Sequence, residues 1–162
     1  MPRITLRRTA GVVLALAAVA VGGTAYADDS PANPNAHGKT IRLLEASKTI
    51  QPDFVDTGAP GLSPGDIVVI RDGVLRADGT PAGTFNQVCT LVHVAGNPFA
   101  SEYECIGSLA LEDGTITMQG PFVPAKAEQT AAVTGGTGEY RTARGEVVVR
   151  SEADEILVEL AR

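Results

Sequence analysis

The chain contains no tryptophan, and aromatic residues make up only 4% of its 162 residues. Sites that bind sugars or nucleobases commonly use aromatic rings as stacking platforms, so this scarcity makes such a site less expected. Basic residues are also in the minority, since 13 Lys and Arg stand against 19 Asp and Glu, for a formal net charge of −6. An acidic surface repels nucleic acid and anionic lipid, and we expect neither as a partner.

Metal-binding residues are equally few, because the chain has two histidines and two cysteines. His37 and His93 lie far apart in the sequence, and neither a CxxC nor a HExxH pattern occurs. We therefore expect no metal site. In an exported protein an even number of cysteines predicts one disulfide, here between Cys89 and Cys105, and a pair of reactive thiols is the functional alternative.

Hydrophobic runs long enough to cross a bilayer are also missing. The apolar segment Gly11 to Val21 is too short for that, but it follows a basic start and precedes the small-residue site Ala25-Tyr26-Ala27. We expect residues 1–27 to be a secretory signal peptide, so that the mature protein begins at Asp28, is secreted and has no stable membrane anchor. The Arg7-Arg8 pair leaves twin-arginine export open beside the ordinary secretory route.

Residues 28–38 are polar with two prolines and are expected to form a flexible leader. The rest of the chain lacks a helical period. Apolar and β-branched runs alternate there with turn signals, and they predict eight strands at 39–47, 66–75, 83–95, 102–111, 114–122, 127–135, 143–151 and 154–162. This spacing indicates an all-β fold over residues 39–162, either a sandwich or a closed antiparallel barrel.

The hairpin around "GNPF" gives a check on strand register. If the turn pairs Gly96 with Pro98, Cys89 falls directly opposite Cys105 on the neighbouring antiparallel strand. Cysteines at opposed positions can form a cross-strand bridge, so the turn and the predicted disulfide agree with each other.

The first predicted strand carries one acidic residue, Glu45, and its role depends on whether its side chain points inward or outward. In "TIRLLEAS", period-two alternation places Glu45 on one face with Ile41, Leu43 and Ser47. Glu45 then either points into an apolar interior, where a carboxylate is costly unless paired, hydrogen-bonded or protonated, or faces water beside Arg42 at the strand end.

The stretch "VTGGTGEYRTARGEVVV" is unusually rich in glycine for a strand region. It lacks the Lys-Ser/Thr of a Walker loop, and no helix follows it as a dinucleotide loop requires. We therefore interpret Gly135, Gly136 and Gly138 as a tight connection with positive φ angles, and Gly145 as a point of bending or close strand approach.

The same stretch resembles the glycine-rich motif of dirigent proteins, GGTG-x-aromatic-x-x-ARG. Upstream, "GTITMQGPF" followed by "EQTAAVTGGTG" resembles allene oxide cyclases, and "GDIVVI", "VCTLVHV" and "YECIGSLAL" fall in the order of their strands. The resemblance covers about Lys39 to Val149. It implies an eight-stranded antiparallel β-barrel, similar to a lipocalin, with a mostly apolar lumen.

The resemblance also implies a site. Glu45 falls on the strand-one glutamate of the cyclases and Arg144 on the arginine of the dirigent motif, and we take these two as the candidate catalytic pair. Tyr103 and Glu104 match a Tyr-Glu pair of the cyclases. Alternation places the two on opposite faces, and we take Tyr103 as the better lumen candidate. The candidate substrate-binding residues are Leu43, Ser47, Tyr103, Met118 and Phe122.

The implied function is a stereoselective cyclisation or isomerisation of a hydrophobic small molecule, without metal or organic cofactor. Relatives of this kind are often oligomers, so a homodimer or homotrimer is expected. Two alternatives stay open: a lipocalin-like carrier that binds without turnover, and a stable secreted scaffold in which Glu45 and Arg144 are surface residues.

Overall fold

The computed structural model describes residues 38–47 and 52–161. The predicted signal peptide and nearly all of the predicted leader lie outside this range. The strands are β1 Thr40–Glu45, β2 Asp53–Val55, β3 Ile67–Arg76, β4 Pro81–His93, β5 Glu102–Leu111, β6 Gly114–Phe122, β7 Glu128–Gly136, β8 Gly145–Arg150 and β9 Glu155–Leu160. Single 3₁₀ turns occur at Gly138–Tyr140 and Ser151–Ala153. Within the described residues we find no helix of the length and apolar character that crossing a membrane requires.

Eight of the strands form a closed antiparallel barrel. Each of β3 to β8 pairs with the strand that follows it in sequence, and β1 closes the ring because it pairs with both β9 and β3. The predicted all-β, eight-stranded barrel is confirmed. The eight strands expected from the sequence match β1 and β3 to β9 within a few residues at either end.

The ninth strand, β2, is a finding that the sequence pattern did not predict. Asp53–Val55 pairs with Ile67–Val69 of β3, while β1 pairs with the other end of β3 at Val74 to Arg76. Because β1 and β2 lie in turn along the same edge of β3, they complete the barrel wall as one interrupted strand. Three residues are too few to show an alternating pattern.

One end of the barrel is filled by a solid core. Leu109, Ile116, Val147, Ile156 and Val158 are fully buried there, because period-two alternation directs one apolar residue in two inward. The glycine-rich connection between β7 and β8 closes this end, and its Tyr140 and Ala143 belong to the same buried cluster.

The glycines of this connection are required by its geometry, although the positive φ angle expected at Gly136 is not found, whereas those at Gly135 and Gly138 are. Gly138 has a φ of 59°, and a Cβ there would lie 2.3 Å from the Asp113 carbonyl oxygen. Gly145 has a φ of 138°, and a Cβ there would lie 1.9 Å from the Glu159 carbonyl oxygen. Residues with side chains fit neither position, so the motif is a packed barrel closure.

The predicted disulfide is confirmed. Cys89 of β4 and Cys105 of β5 are opposed in the ladder and joined by an S–S bond, with their Cα atoms 4.0 Å apart. Together with Leu91 and Tyr103 they form a second buried cluster toward the other end of the barrel. The bridge therefore ties together the two strands that form one wall of the space described next.

Candidate ligand-binding cavity

A partly open cavity of about 770 Å³ occupies the end of the barrel opposite the glycine-rich connection. This volume lies within the range of small-molecule sites, about 300–1,000 Å³. The connections between β4 and β5, β6 and β7, and β8 and β9 contribute to its rim. The lining residues are Glu45, Ser47, Pro52, Phe54, Val68, Ile70, Phe85, Gln87, Cys89, Pro98, Phe99, Tyr103, Phe122, Pro124, Val149, Ser151 and Asp154.

The cavity gathers five of the six aromatic residues in the described part of the chain. All four phenylalanines of the sequence, Phe54, Phe85, Phe99 and Phe122, line it, together with Tyr103. Phe85 and Tyr103 are buried in the wall, whereas Phe99 at the rim is 70% exposed. A chain with few aromatics thus places most of its described ones in one apolar space, where rings provide large contact areas for a ligand.

Tyr103 is fixed at one side of this wall. Its hydroxyl donates to the carbonyl oxygen of Pro98 over 3.2 Å, and burial, with a smaller contribution from Asp66, raises the pKa of its phenol. The phenol therefore stays protonated at neutral pH and acts as a donor.

One side of the cavity is acidic. Glu45, the last residue of β1, and Asp154, in the turn between β8 and β9, both line it. They are held next to each other because the Glu45 amide donates to the Asp154 carbonyl oxygen over 2.8 Å. Burial raises the pKa of Glu45, and the negative charges of Asp154 and Asp72 raise it further.

Asp72 keeps its charge close to this pair. Burial acts to raise the pKa of Asp72, but hydrogen bonds from the Ser47 hydroxyl at 2.7 Å and the Ser47 amide at 3.0 Å hold it below its ordinary value. A carboxylate that stays ionised near Glu45 favours the protonated form of Glu45. Ser47 therefore connects the acidic side of the cavity to β3.

The charge of the lining restricts the ligands that fit. Among the described residues that line the cavity, Glu45 and Asp154 are acidic and no Lys, Arg or His occurs. A ligand carboxylate or phosphate would find no positive partner and would be repelled. The lining therefore favours a neutral or cationic molecule. In the described part of the chain, no three His, Cys, Asp or Glu side chains converge as metal ligands would.

Four of the predicted site residues come together in this cavity, namely Glu45, Ser47, Tyr103 and Phe122. Two others lie deeper. Leu43 is 2% exposed within the core below the cavity. Met118 is 3% exposed in the same core and borders only a small adjoining recess.

Arg144 lies apart from these residues. It sits just before β8 in the connection that closes the opposite end of the barrel, is exposed, and donates from Nη1 to the Ala143 carbonyl oxygen over 2.7 Å. In an up-and-down barrel successive connections alternate between the two ends, so the β7–β8 and β8–β9 connections cannot share an end. The structure does not bring Arg144 and Glu45 together.

Several lining residues were missing from the sequence prediction. Phe54 lies on the unpredicted β2, Phe99 and Asp154 lie in connections, and Phe85 and Gln87 lie on the inward face of β4. The alternation of connections between barrel ends was a usable signal, since it places the β4–β5, β6–β7 and β8–β9 connections around one mouth.

The long segment between β2 and β3 is anchored beside the cavity by a buried acid. Asp66 is 0% exposed, and its carboxylate accepts the Thr57 amide at 3.0 Å and the Ser63 amide at 2.7 Å. These backbone hydrogen bonds lower the pKa of Asp66. The same segment places Leu62 against the buried cluster that contains Leu91 and Tyr103.

Known structures share this architecture. A pyocyanin demethylase is 28% identical, with a TM-score of 0.64, over 76% of this chain and 100% of that one. The Diels-Alderase AbmU from Streptomyces koyangensis is 17% identical, with a TM-score of 0.57, over 79% of this chain and 71% of that one. The pterocarpan synthase dirigent protein GePTS1 is 19% identical, with a TM-score of 0.51, over 85% of this chain and 95% of that one.

The two neighbours with identities below 20% bear on the fold alone. None of the curated proteins matches the sequence. The family described as "Allene oxide cyclase barrel like domain" matches residues 46–160, which is well over half of the chain. The protein therefore belongs to the allene oxide cyclase barrel-like family.

Proposed function

We propose that the barrel binds a small apolar molecule, neutral or cationic, and guides its stereoselective cyclisation or isomerisation with Glu45 as the acid–base group. The observation that carries this proposal is the position of Glu45 at the wall of an aromatic cavity, where burial raises its pKa. A raised pKa makes a carboxylate a stronger base and makes its protonated form more available as an acid.

The cavity walls supply the larger part of the proposed rate gain. Rings on several sides of a 770 Å³ space restrict a flexible substrate to few conformers, and effective molarities for well-held reactants reach about 10⁵ M or more. Glu45 then needs only to protonate, deprotonate or stabilise one centre. Arg144 has no part in this mechanism, because it lies at the opposite end of the barrel.

The proposal includes a place of action outside the cytoplasm. The Cys89–Cys105 disulfide supports it, since disulfides persist in oxidising compartments. N-terminal sequencing of the protein recovered from a secreting host tests it. A mature terminus at Asp28 is expected, and an uncleaved chain that stays in the cytoplasm would contradict it.

A second candidate is a reaction on pyocyanin. It is favoured by the 28% identity to a pyocyanin demethylase, which extends over the whole of that protein. Pyocyanin is coloured, so its binding or conversion can be followed by visible absorbance. A spectral change that needs folded protein and stops with Glu45→Gln supports this candidate, and an unchanged spectrum at high protein concentration excludes it.

Native mass spectrometry of the protein from its source tests the main proposal. A co-purified molecule that is a cyclised or isomerised form of a compound in the medium supports catalysis. A bound molecule returned unchanged indicates the lipocalin-like carrier instead. Glu45→Gln should still bind this ligand but lose turnover, whereas Glu104→Gln changes a glutamate that contacts Gln119 on the outer face and should keep full activity. Full turnover by Glu45→Gln would overturn the mechanism.

A further inference from the structure

A small recess adjoins the cavity on the side of β7. It has a volume of about 20 Å³ and shares Phe85, Gln87, Phe122 and Val149 with the lining of the large cavity. The two spaces thus lie against the same side chains. The recess has room for about one water molecule or one terminal ligand atom.

Gln129 is the residue that makes this recess unusual. It stands opposite Val149 on β8, which in turn stands opposite Ile156 on β9 and, through it, Leu43 on β1. These neighbours form an aliphatic row around the inside of the barrel. A polar side chain at that level interrupts an otherwise apolar layer.

The orientation of the Gln129 amide is determined by its backbone contact. Its Oε1 accepts the Val123 amide over 2.5 Å, at the point where the chain leaves β6. Since a backbone N–H can only donate, the oxygen must be at that side, and the amide nitrogen must be at the other.

The amide nitrogen has no partner of its own. Across residues 38–47 and 52–161, Gln129 Nε2 is the single buried side-chain nitrogen or oxygen without a hydrogen bond. Buried donors are almost always satisfied, and leaving one unpaired costs about 1–3 kcal/mol. The hydrogen bond from the Val123 amide accounts for the oxygen of Gln129 but not for its nitrogen, because a side chain with only an acceptor would bind that amide equally well.

We propose that Gln129 Nε2 donates a hydrogen bond to a neutral acceptor of the bound molecule, and that this contact selects ligands with a terminal carbonyl oxygen. The inference rests on the proposed function, since it assigns an anchor within the same cavity. The recess holds one heavy atom and not a ring, which favours a carbonyl oxygen. The acidic lining excludes a carboxylate as that acceptor.

The anchor also sets the direction in which the molecule lies. Glu45 is on β1 and Gln129 on β7, and β9 and β8 stand between them in the wall. At about 4.8 Å per strand this is roughly 14 Å along the wall. A ligand held by its carbonyl at Gln129 extends across the aromatic space toward Glu45, so the group that reacts is remote from the carbonyl.

A matched pair of neutral ligands tests the anchor. Fluorene and 9-fluorenone share a tricyclic skeleton and differ in one carbonyl oxygen. We expect the wild type to bind fluorenone roughly two- to tenfold more tightly than fluorene, the factor of one net hydrogen bond. Gln129→Leu should remove this preference by weakening fluorenone binding alone.

Two further variants serve as a replacement and as a control for Gln129→Leu. Gln129→Met keeps the length of the side chain but has no hydrogen-bond donor. It should also lose the preference for fluorenone, and it replaces Gln129→Leu in the test if that variant folds poorly. Gln119→Leu removes an exposed glutamine of β6 that contacts Glu104 and should leave the preference intact. Equal binding of both ligands by the wild type, or a preference that survives in Gln129→Leu and Gln129→Met, overturns the inference. Failure of the wild type to bind either ligand overturns the proposed function along with it.

Discussion

The Cys89–Cys105 bridge offers the most quantitative test of the structure. The two cysteines are 16 positions apart and close one hairpin. In the chain-entropy description, a closed loop of this size restricts the unfolded chain by about 3 kcal/mol at 25 °C. The Cys89→Ala/Cys105→Ala double variant should therefore lose about 3 kcal/mol of folding free energy, and slightly more for the lost packing of two sulfurs.

This loss can be expressed as a shift in Tm. With about 120 described residues and an unfolding entropy near 2.1 cal/mol/K per residue, 3 kcal/mol corresponds to roughly 12 °C. Thermal unfolding followed by circular dichroism measures it directly. The protein must be oxidised and the bridge confirmed by mass before heating.

The neighbouring rung of the same ladder supplies the control. Val88 and Ile106 stand opposite each other one position along, but they point outward and are 47% and 63% exposed. Val88→Ala/Ile106→Ala should cost less than about 1 kcal/mol, since surface truncations are mild. Equal losses in the two double variants would refute the reasoning, as would rapid reduction of the bridge in the native protein, because its cysteines are only 1% and 3% exposed.

Three more predictions follow from individual side chains. Because burial and the nearby negative charges raise the pKa of Glu45 in the folded state, its charge destabilises the fold at neutral pH. Glu45→Gln should therefore be more stable than the wild type at pH 7, and urea titrations should show this gain vanish below pH 4.5. The pKa of Asp66 is lowered in the folded state, so its charge stabilises the fold above pH 3.8, and this stabilisation is lost as the pH falls through the pKa of the folded protein. Asp66→Asn should therefore lower the Tm at pH 7, and the difference in Tm from the wild type should disappear in acid. Leu109→Ala in the closed-end core should cost about 2–5 kcal/mol without altering ligand affinity, and a large loss of affinity would show that core and cavity are not separate.

The strands and their register were predictable from local sequence. Alternation, turn residues and the spacing of Cys89 and Cys105 are properties of neighbouring positions, and they determine which residues face inward. The same alternation placed Tyr103 and Glu104 on opposite faces, and the structure places Tyr103, the lumen candidate of the two, in the cavity wall.

The two ends of the barrel were harder to tell apart. Alternation says that a residue points inward, but not whether it meets a packed core or an open space. Leu43 and Glu45 share a face of β1, yet Leu43 lies in the core and Glu45 lines the cavity. The filled end also contains Tyr140, which packs into the core from a connection, and no single strand encodes that contact.

Arg144 illustrates the limit of a motif. The resemblance explains why Arg144 follows the glycine-rich sequence. The motif, however, lies at the closed end of the barrel, where its glycines permit close packing. β2 illustrates a different limit, because a three-residue strand is recognised by its partner on β3 and not by its own pattern.

Filling the cavity from within tests the central claim most directly. Ile70 lines the cavity and Val69, its neighbour on β3, points outward and is 37% exposed. Nile red, a neutral apolar dye, can be titrated against the wild type, Ile70→Trp and Val69→Trp. The wild type and Val69→Trp should show saturable one-to-one binding. Ile70→Trp should bind the dye at least tenfold more weakly, because its ring fills the cavity. Equal affinities for the two tryptophan variants, or no saturable binding by the wild type, would contradict a ligand-binding barrel.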